Sequence, residues 1–292
     1  MPITSLLRWW SSRKKSSATP EARLRSLREM LWDPSARFSI RGTFDELDTI
    51  ETELRSQGAV PVELRGELAY CRGYLAHRRG DHQECIAWYG EAIAADDEHS
   101  FLPERLRISA RLGIAQNYEA SAGWDEAVAA YRDVLPEIEE SSSFTEDALG
   151  GAMEKLAFCL HETGDYGAAL ELNRRVLALG EKVHGSAAFE LRTCLVNMAQ
   201  NHHALGDPTA AKPLLERVLS LGEAFDDDDL IVEMRFQLGV LAFEASDINE
   251  AKKQMDAAKA RAEESGDSFL VELCEKRREE LAKRSIPKTE PK

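Results

Sequence analysis

Five segments of the chain repeat one another: RRGDHQECIAWY, SAGWDEAVAAY, ETGDYGAALELN, ALGDPTAAKPLL and EASDINEAKKQM. Each holds a turn, then a small residue four positions before a larger one. The small residues are Cys85, Ala127, Ala169, Ala211 and Ala251, spaced 42, 42, 42 and 40 apart. Twelve positions upstream stand Gly73, Ala115, Ala157, Ala199 and Gly239, again all small. Four positions downstream of the first set stand Tyr89, Tyr131, Asn173, Leu215 and Met255, and seven downstream Ala92, Val134, Val176, Val218 and Ala258. Such a rhythm constrains the fold severely. Two antiparallel helices approach closely only where their contact positions are small. One hairpin cannot bury its apolar face alone, so the hairpins must stack. Gly80–Asp81, Gly123, Gly164–Asp165 and Gly206–Asp207 fall where each hairpin turns, with Gly ending one helix and Asp capping the next.

The pattern resembles the tetratricopeptide repeat family over residues 61–264, through the small first-helix residue, Tyr118 in one repeat, the Gly-Asp turn, the paired alanines, and Tyr89 and Tyr131. The period of 42 is similar to the longer repeat of kinesin light chains, in which the second helix runs on. The Pro that ends the second helix in that family is replaced by Asp97, Glu139, Glu181 and Glu223. Pro136 and Pro213 fall inside second helices and are expected to kink them or shift their starts. The resemblance implies an all-α fold, a right-handed α-solenoid of helix-turn-helix repeats.

Around this array the expected organisation is a basic flexible arm at 1–19, a degenerate leading helix pair at 20–60, five repeats at 61–264, a C-terminal capping helix at 265–285 and a disordered tail at 286–292. Within the leading pair, Thr43 and Glu46 read as the capping box of a helix over 43–57.

Composition agrees and excludes several functions. Ala, Leu, Glu and Arg favour helix, and no long alternating run reads as strands. The net charge of −15 repels nucleic acid backbones, so no nucleic acid partner is expected. The charge is uneven: +6 over residues 1–41 and −21 over the rest. Cys71, Cys85, Cys159, Cys194 and Cys274 show no metal or redox spacing and read as buried reduced thiols. The apolar run after Met1 is too short for a signal peptide and its basic cluster follows instead of preceding, so the expected location is cytoplasmic, with no transmembrane segment. No phosphate loop, GxSxG or HExxH occurs, and Asp226–Asp229 lacks the Gly and Glu of a calcium hand. No catalytic residue, metal or cofactor is expected, and the chain does not read as an enzyme.

The resemblance implies a concave groove lined by first helices. Projected onto this chain, the groove is offered by Tyr70, Tyr74, His77 and Arg78; then Leu112, Gln116 and Glu119; then Glu154, Phe158, His161 and Glu162; then Val196, Asn197, Gln200 and His203; then Phe236, Val240 and Phe243. Aromatics mixed with carboxylates suit a protein or peptide with apolar anchors and positive charge. Asn197 and Asn201, four apart on one helix, are candidates to hold a peptide backbone. The clamp that chaperone adaptors use on a terminal carboxylate needs Lys and Asn where Tyr70, Tyr74, Leu112 and Gln116 stand, so that function is disfavoured.

The leading reading is an adaptor or scaffold that captures a partner's peptide, helix or protein. Two alternatives stay open: an inhibitor or immunity-type regulator gripping a basic folded partner, and a receptor for a signalling peptide. Leu6, Leu7, Trp9 and Trp10 beside Arg8, Arg13, Lys14 and Lys15 suit either weak membrane contact or docking on an acidic repeat surface.

Overall fold

In the computed structural model, residues 18–33 and 35–284 are described, with no account of the side chains of Trp32 and residues 280–284. The arm around Trp9 and Trp10 and the tail beyond Arg284 lie outside the described residues. The described residues form thirteen α-helices and no strand. They fall into two compact units that divide between Phe144 and Thr145.

The first unit contains α1 (Pro20–Trp32), α2 (Ile40–Gln57), α3 (Val62–Arg79), α4 (His82–His99), α5 (Glu104–Ala120) and α6 (Trp124–Glu140). The leading pair is a packed element: Leu24, Leu27, Leu31, Leu47, Ile50 and Leu54 join Leu68, Cys71 and Leu75 of α3 in one core cluster. The start of α2 differs from the expected capping box. Ser39 caps it, its hydroxyl accepting from the Gly42 N–H, so the helix begins three residues earlier. Thr43 is then a buried helical residue whose hydroxyl donates to the Ser39 carbonyl. Glu46 faces inward and receives Arg23 at 2.6 Å.

The second unit contains α7 (Glu146–Glu162), α8 (Tyr166–His184), a 3-10 turn (Phe189–Leu191), α9 (Arg192–Ala204), α10 (Pro208–Phe225), α11 (Asp228–Glu244), α12 (Ile248–Ser265) and α13 (Ser268–Arg284). Leu270 and Cys274 of α13 close over Met255, Ala258 and Ala262 of α12.

The repeat's small residues lie at the seams. Gly73, Ala115, Ala157, Ala199 and Gly239 are all buried, as are Cys85, Ala127, Ala169, Ala211 and Ala251. The fit is tightest around Tyr89 of α4. A Cβ built on Gly73 of α3 would stand 2.5 Å from its ring, and one built on Gly113 of α5 2.7 Å. One tyrosine thus fills the angle between its own repeat and the next, and only glycine fits on either side.

The turns follow the expected chemistry with local substitutions. Gly80, Gly164 and Gly206 take positive φ, the left-handed region open to glycine. In the second hairpin that conformation falls on Ala122, with φ 58°, one residue before Gly123. Asp165, Asp207 and Asp247 cap their helices, accepting from the N–H of Ala168, Ala210 and Glu250. Asp81 makes no such bond; Arg79 draws its carboxylate away at 2.8 Å. Pro136 and Pro213 lie inside α6 and α10, whose helical spans run through them without a shifted start. Second helices of repeats run 17–19 residues, the extension that the long period demands.

Candidate functional site

The groove candidates occupy five columns of the repeat, and those columns behave differently. Three positions before the small residue stand Tyr70, Leu112, Glu154, Val196 and Phe236. The two aromatics of this column are buried. Tyr70 is 2% exposed, its ring centroid 5.5 Å from that of Tyr89. Phe236 is 2% exposed and roofed by the Arg277 guanidinium, 4.8 Å from the ring centroid. First helices seated on small residues come so close that large side chains in this column are closed over by a neighbour. Leu112, Val196 and Glu154 are half-buried.

One position after the small residue, Tyr74, Gln116 and Val240 are half-buried, and Phe158 and Gln200 are exposed. Phe158, at 38%, is among the few exposed large apolar side chains. Three positions further, the column of His77, Glu119, His161, His203 and Phe243 serves the seams as much as the surface. Asn117, buried on α5, lies 2.9 Å from Nδ1 of His77 and 2.9 Å from Nδ1 of His82. In the second unit Asn201 on α9 meets His161 Nδ1 at 2.8 Å. Asn201 is 1% exposed, so it does not share a surface with Asn197, which is half-buried. Glu119 accepts from the Tyr131 hydroxyl at 2.7 Å. Arg78 and Glu162 are exposed.

In the second unit Gln200, His203, Phe236 and Val240 come together. They line a cleft of about 360 Å³ whose floor is Ala199, Ala211, Leu215 and Leu241. Its polar rim includes three side chains outside the sequence expectation, Glu233, Gln237 and Arg277. Arg277 of α13 donates to Glu233 at 2.7 Å, and Gln237 donates to the same carboxylate at 3.1 Å. His203 Nε2 lies 2.6 Å from Glu244. This is an apolar floor with a ring of hydrogen-bonding groups, of a size that holds small ligands or a few side chains. Arg277 escaped the periodic reading because α13 lies beyond the last repeat.

Elsewhere the titratable groups are settled by their surroundings. All five cysteines are free and buried. Burial pushes the thiols of Cys71, Cys85 and Cys194 up to about 12, which keeps them protonated and unreactive. Burial also raises Glu154 above the usual carboxylate range, against the weaker fields of Lys155 and Arg192. Among the described residues no group of three or more His, Cys, Asp or Glu side chains is arranged to hold a metal ion. No described helix is long and apolar enough to cross a membrane.

Helical hairpins on small-residue seams, with a cleft between successive first helices, make an all-α solenoid of the tetratricopeptide-repeat architecture. A family model described as "Tetratricopeptide repeat" matches residues 149–224, inside the second unit. No curated protein sequence matches the chain. Among solved structures, the fold is similar to that of a putative kinesin light chain of nearly identical TPR-like repeats from Podosopora anserina, with a TM-score of 0.56 at 18% identity, covering 71% of this chain and 99% of that one. It is similar to BtubC (BKLC) from P. vanneervenii, with a TM-score of 0.57 at 17% identity, covering 86% and 94%. It is also similar to aspartyl phosphate phosphatase F from Bacillus subtilis, with a TM-score of 0.58 at 12% identity, covering 91% and 70%. The chain therefore has the fold of these long-repeat structures, and within it residues 149–224 match the tetratricopeptide repeat itself.

Proposed function

We propose that this protein is a non-catalytic binding module that captures a segment of a partner protein or peptide on the first-helix faces of its second unit. The observation that carries the reading is the cleft floored by Ala199, Ala211, Leu215 and Leu241 and rimmed by Gln200, His203, Glu233, Gln237 and Arg277. Its floor accepts an aliphatic or aromatic anchor, and its rim offers both donors and acceptors to an extended or helical backbone. The domain boundaries expected from the sequence are retained as part of this reading, with residues 61–264 as the binding array.

A cleft of about 360 Å³ takes a few side chains and not the broad face of a folded partner. That favours peptide capture, by an adaptor or by a receptor for a short peptide, over a grip on a whole basic protein. The test is co-purification from native lysate with the intact chain and with Val240→Trp, which fills the cleft from its half-buried wall. The reading expects specific partners, or a released short peptide, with the intact chain and their loss with the variant. An unchanged set of partners with Val240→Trp contradicts it.

A further inference from the structure

A second cleft in the same unit has a chemistry of its own. It measures about 220 Å³ and lies among α7, α8 and α9. One side is nearly bare: Gly150 and Gly151 of α7 present no side chain, and a Cβ on Gly151 would meet nothing within 4 Å. Opposite stand apolar side chains, Val176, Leu179 and Leu191. At the wall sits Glu154, half-buried, with no hydrogen bond or ion pair to any described residue. The other carboxylates of α7 at the cleft already have partners, Asp147 lying 2.9 Å from His184 Nε2 and Glu146 pairing with Lys182. The Arg192 guanidinium is held elsewhere, over the Phe189 ring at 4.2 Å and on the Phe189 carbonyl at 3.0 Å. Glu154 is thus a half-buried carboxylate with no ion-paired partner among the described residues, in a slot that also holds Val176, Leu179 and Leu191; the fields of Lys155 and Arg192 reach it without outweighing burial.

We propose that this cleft seats the side chain of an arginine or lysine from a bound partner, with Glu154 as the receiving carboxylate. The long stem of such a side chain packs on Val176, Leu179 and Leu191, and its cation reaches Glu154. Arginine fits better than lysine, because its planar fork bonds both carboxylate oxygens at once. Burial raises the Glu154 carboxyl now, and an arriving cation reverses that effect. The inference rests on the binding reading above, since it names the chemistry of one anchor, but its test needs no partner.

The test is an NMR titration of the isotope-labelled full chain with N-acetyl-arginine methylamide, its lysine counterpart and the neutral citrulline analogue. The arginine probe is expected to shift the amides of Gly150, Gly151 and Gly180 saturably and to lower the titration midpoint of the Glu154 carboxyl carbon. Citrulline binds at least ten-fold more weakly. Glu154→Gln loses the arginine response, as does Gly151→Val, which fills the slot and leaves the carboxylate in place. Three outcomes overturn the proposal: equal shifts with citrulline, an undiminished response in both variants, or no arginine-dependent shift at these glycines. A chain that fails here yet still loses its partners on Val240→Trp forfeits only the basic anchor, not the binding function.

Discussion

Tyr89 shows what single residues must satisfy in this fold. Its ring occupies space that a Cβ on Gly73 or Gly113 would claim. Gly73→Ala therefore forces ring or backbone to move, and its expected cost is about 1–3 kcal/mol in chemical denaturation. Asn173 takes the same column in the third repeat, fully buried, with neither side-chain oxygen nor nitrogen hydrogen-bonded among the described residues. Leu215 stands in that column one repeat later. Asn173→Leu is thus expected to raise stability by about 1–3 kcal/mol, the desolvation cost of an unsatisfied amide; a lower melting temperature would show that the amide has a partner worth keeping. Ala122→Gly is expected to stabilise by about 1 kcal/mol, since φ there is 58°. The small-residue columns could be read from the chain because packing allows nothing larger at a seam. The fate of Tyr70 and Phe236 could not, because it depends on which neighbour closes over them, Tyr89 in one case and Arg277 in the other.

Between elements, the seams carry polar links as well as apolar ones. His77 and His161 lie 84 residues apart in sequence, and so do Asn117 and Asn201; each His–Asn pair ties one repeat to the next. The His77 imidazole is held below its ordinary value by partial burial first, then by the nearby His82 and Arg78, with the Asn117 bond acting the other way. Because the folded value is depressed, the unfolded chain takes the proton more readily. The stability linked to His77 is complete above its ordinary value of 6.5 and declines as pH falls through the lowered one. Melting temperature measured from pH 7.5 down to 5 (about the span in which histidine titrates) is expected to fall less steeply in His77→Gln than in the parent. Element boundaries were legible only in part. Thr43 followed by Glu46 has the form of a cap, but Ser39 lies four residues upstream of Thr43, and its hydroxyl accepts from the Gly42 N–H and starts the helix earlier. The last helix was visible as a cover for the final repeat; that Arg277 on it reaches Glu233, 44 residues earlier, is a tertiary fact that no period encodes.

At the scale of the molecule, the second unit holds two clefts of different character, one floored by apolar residues and one walled by Glu154, a carboxylate with no ion-paired partner among the described residues. The periodicity made the fold predictable, whereas the clefts depend on side chains that the period leaves free to vary. The most direct test of the account is photo-cross-linking in native lysate, with a benzophenone amino acid placed at Gln200 on the cleft rim or at Lys253 on the second helix α12. The account predicts a discrete adduct from Gln200, abolished by Val240→Trp, and none from Lys253. An adduct from Lys253 alone, or one from Gln200 that survives Val240→Trp, would contradict it.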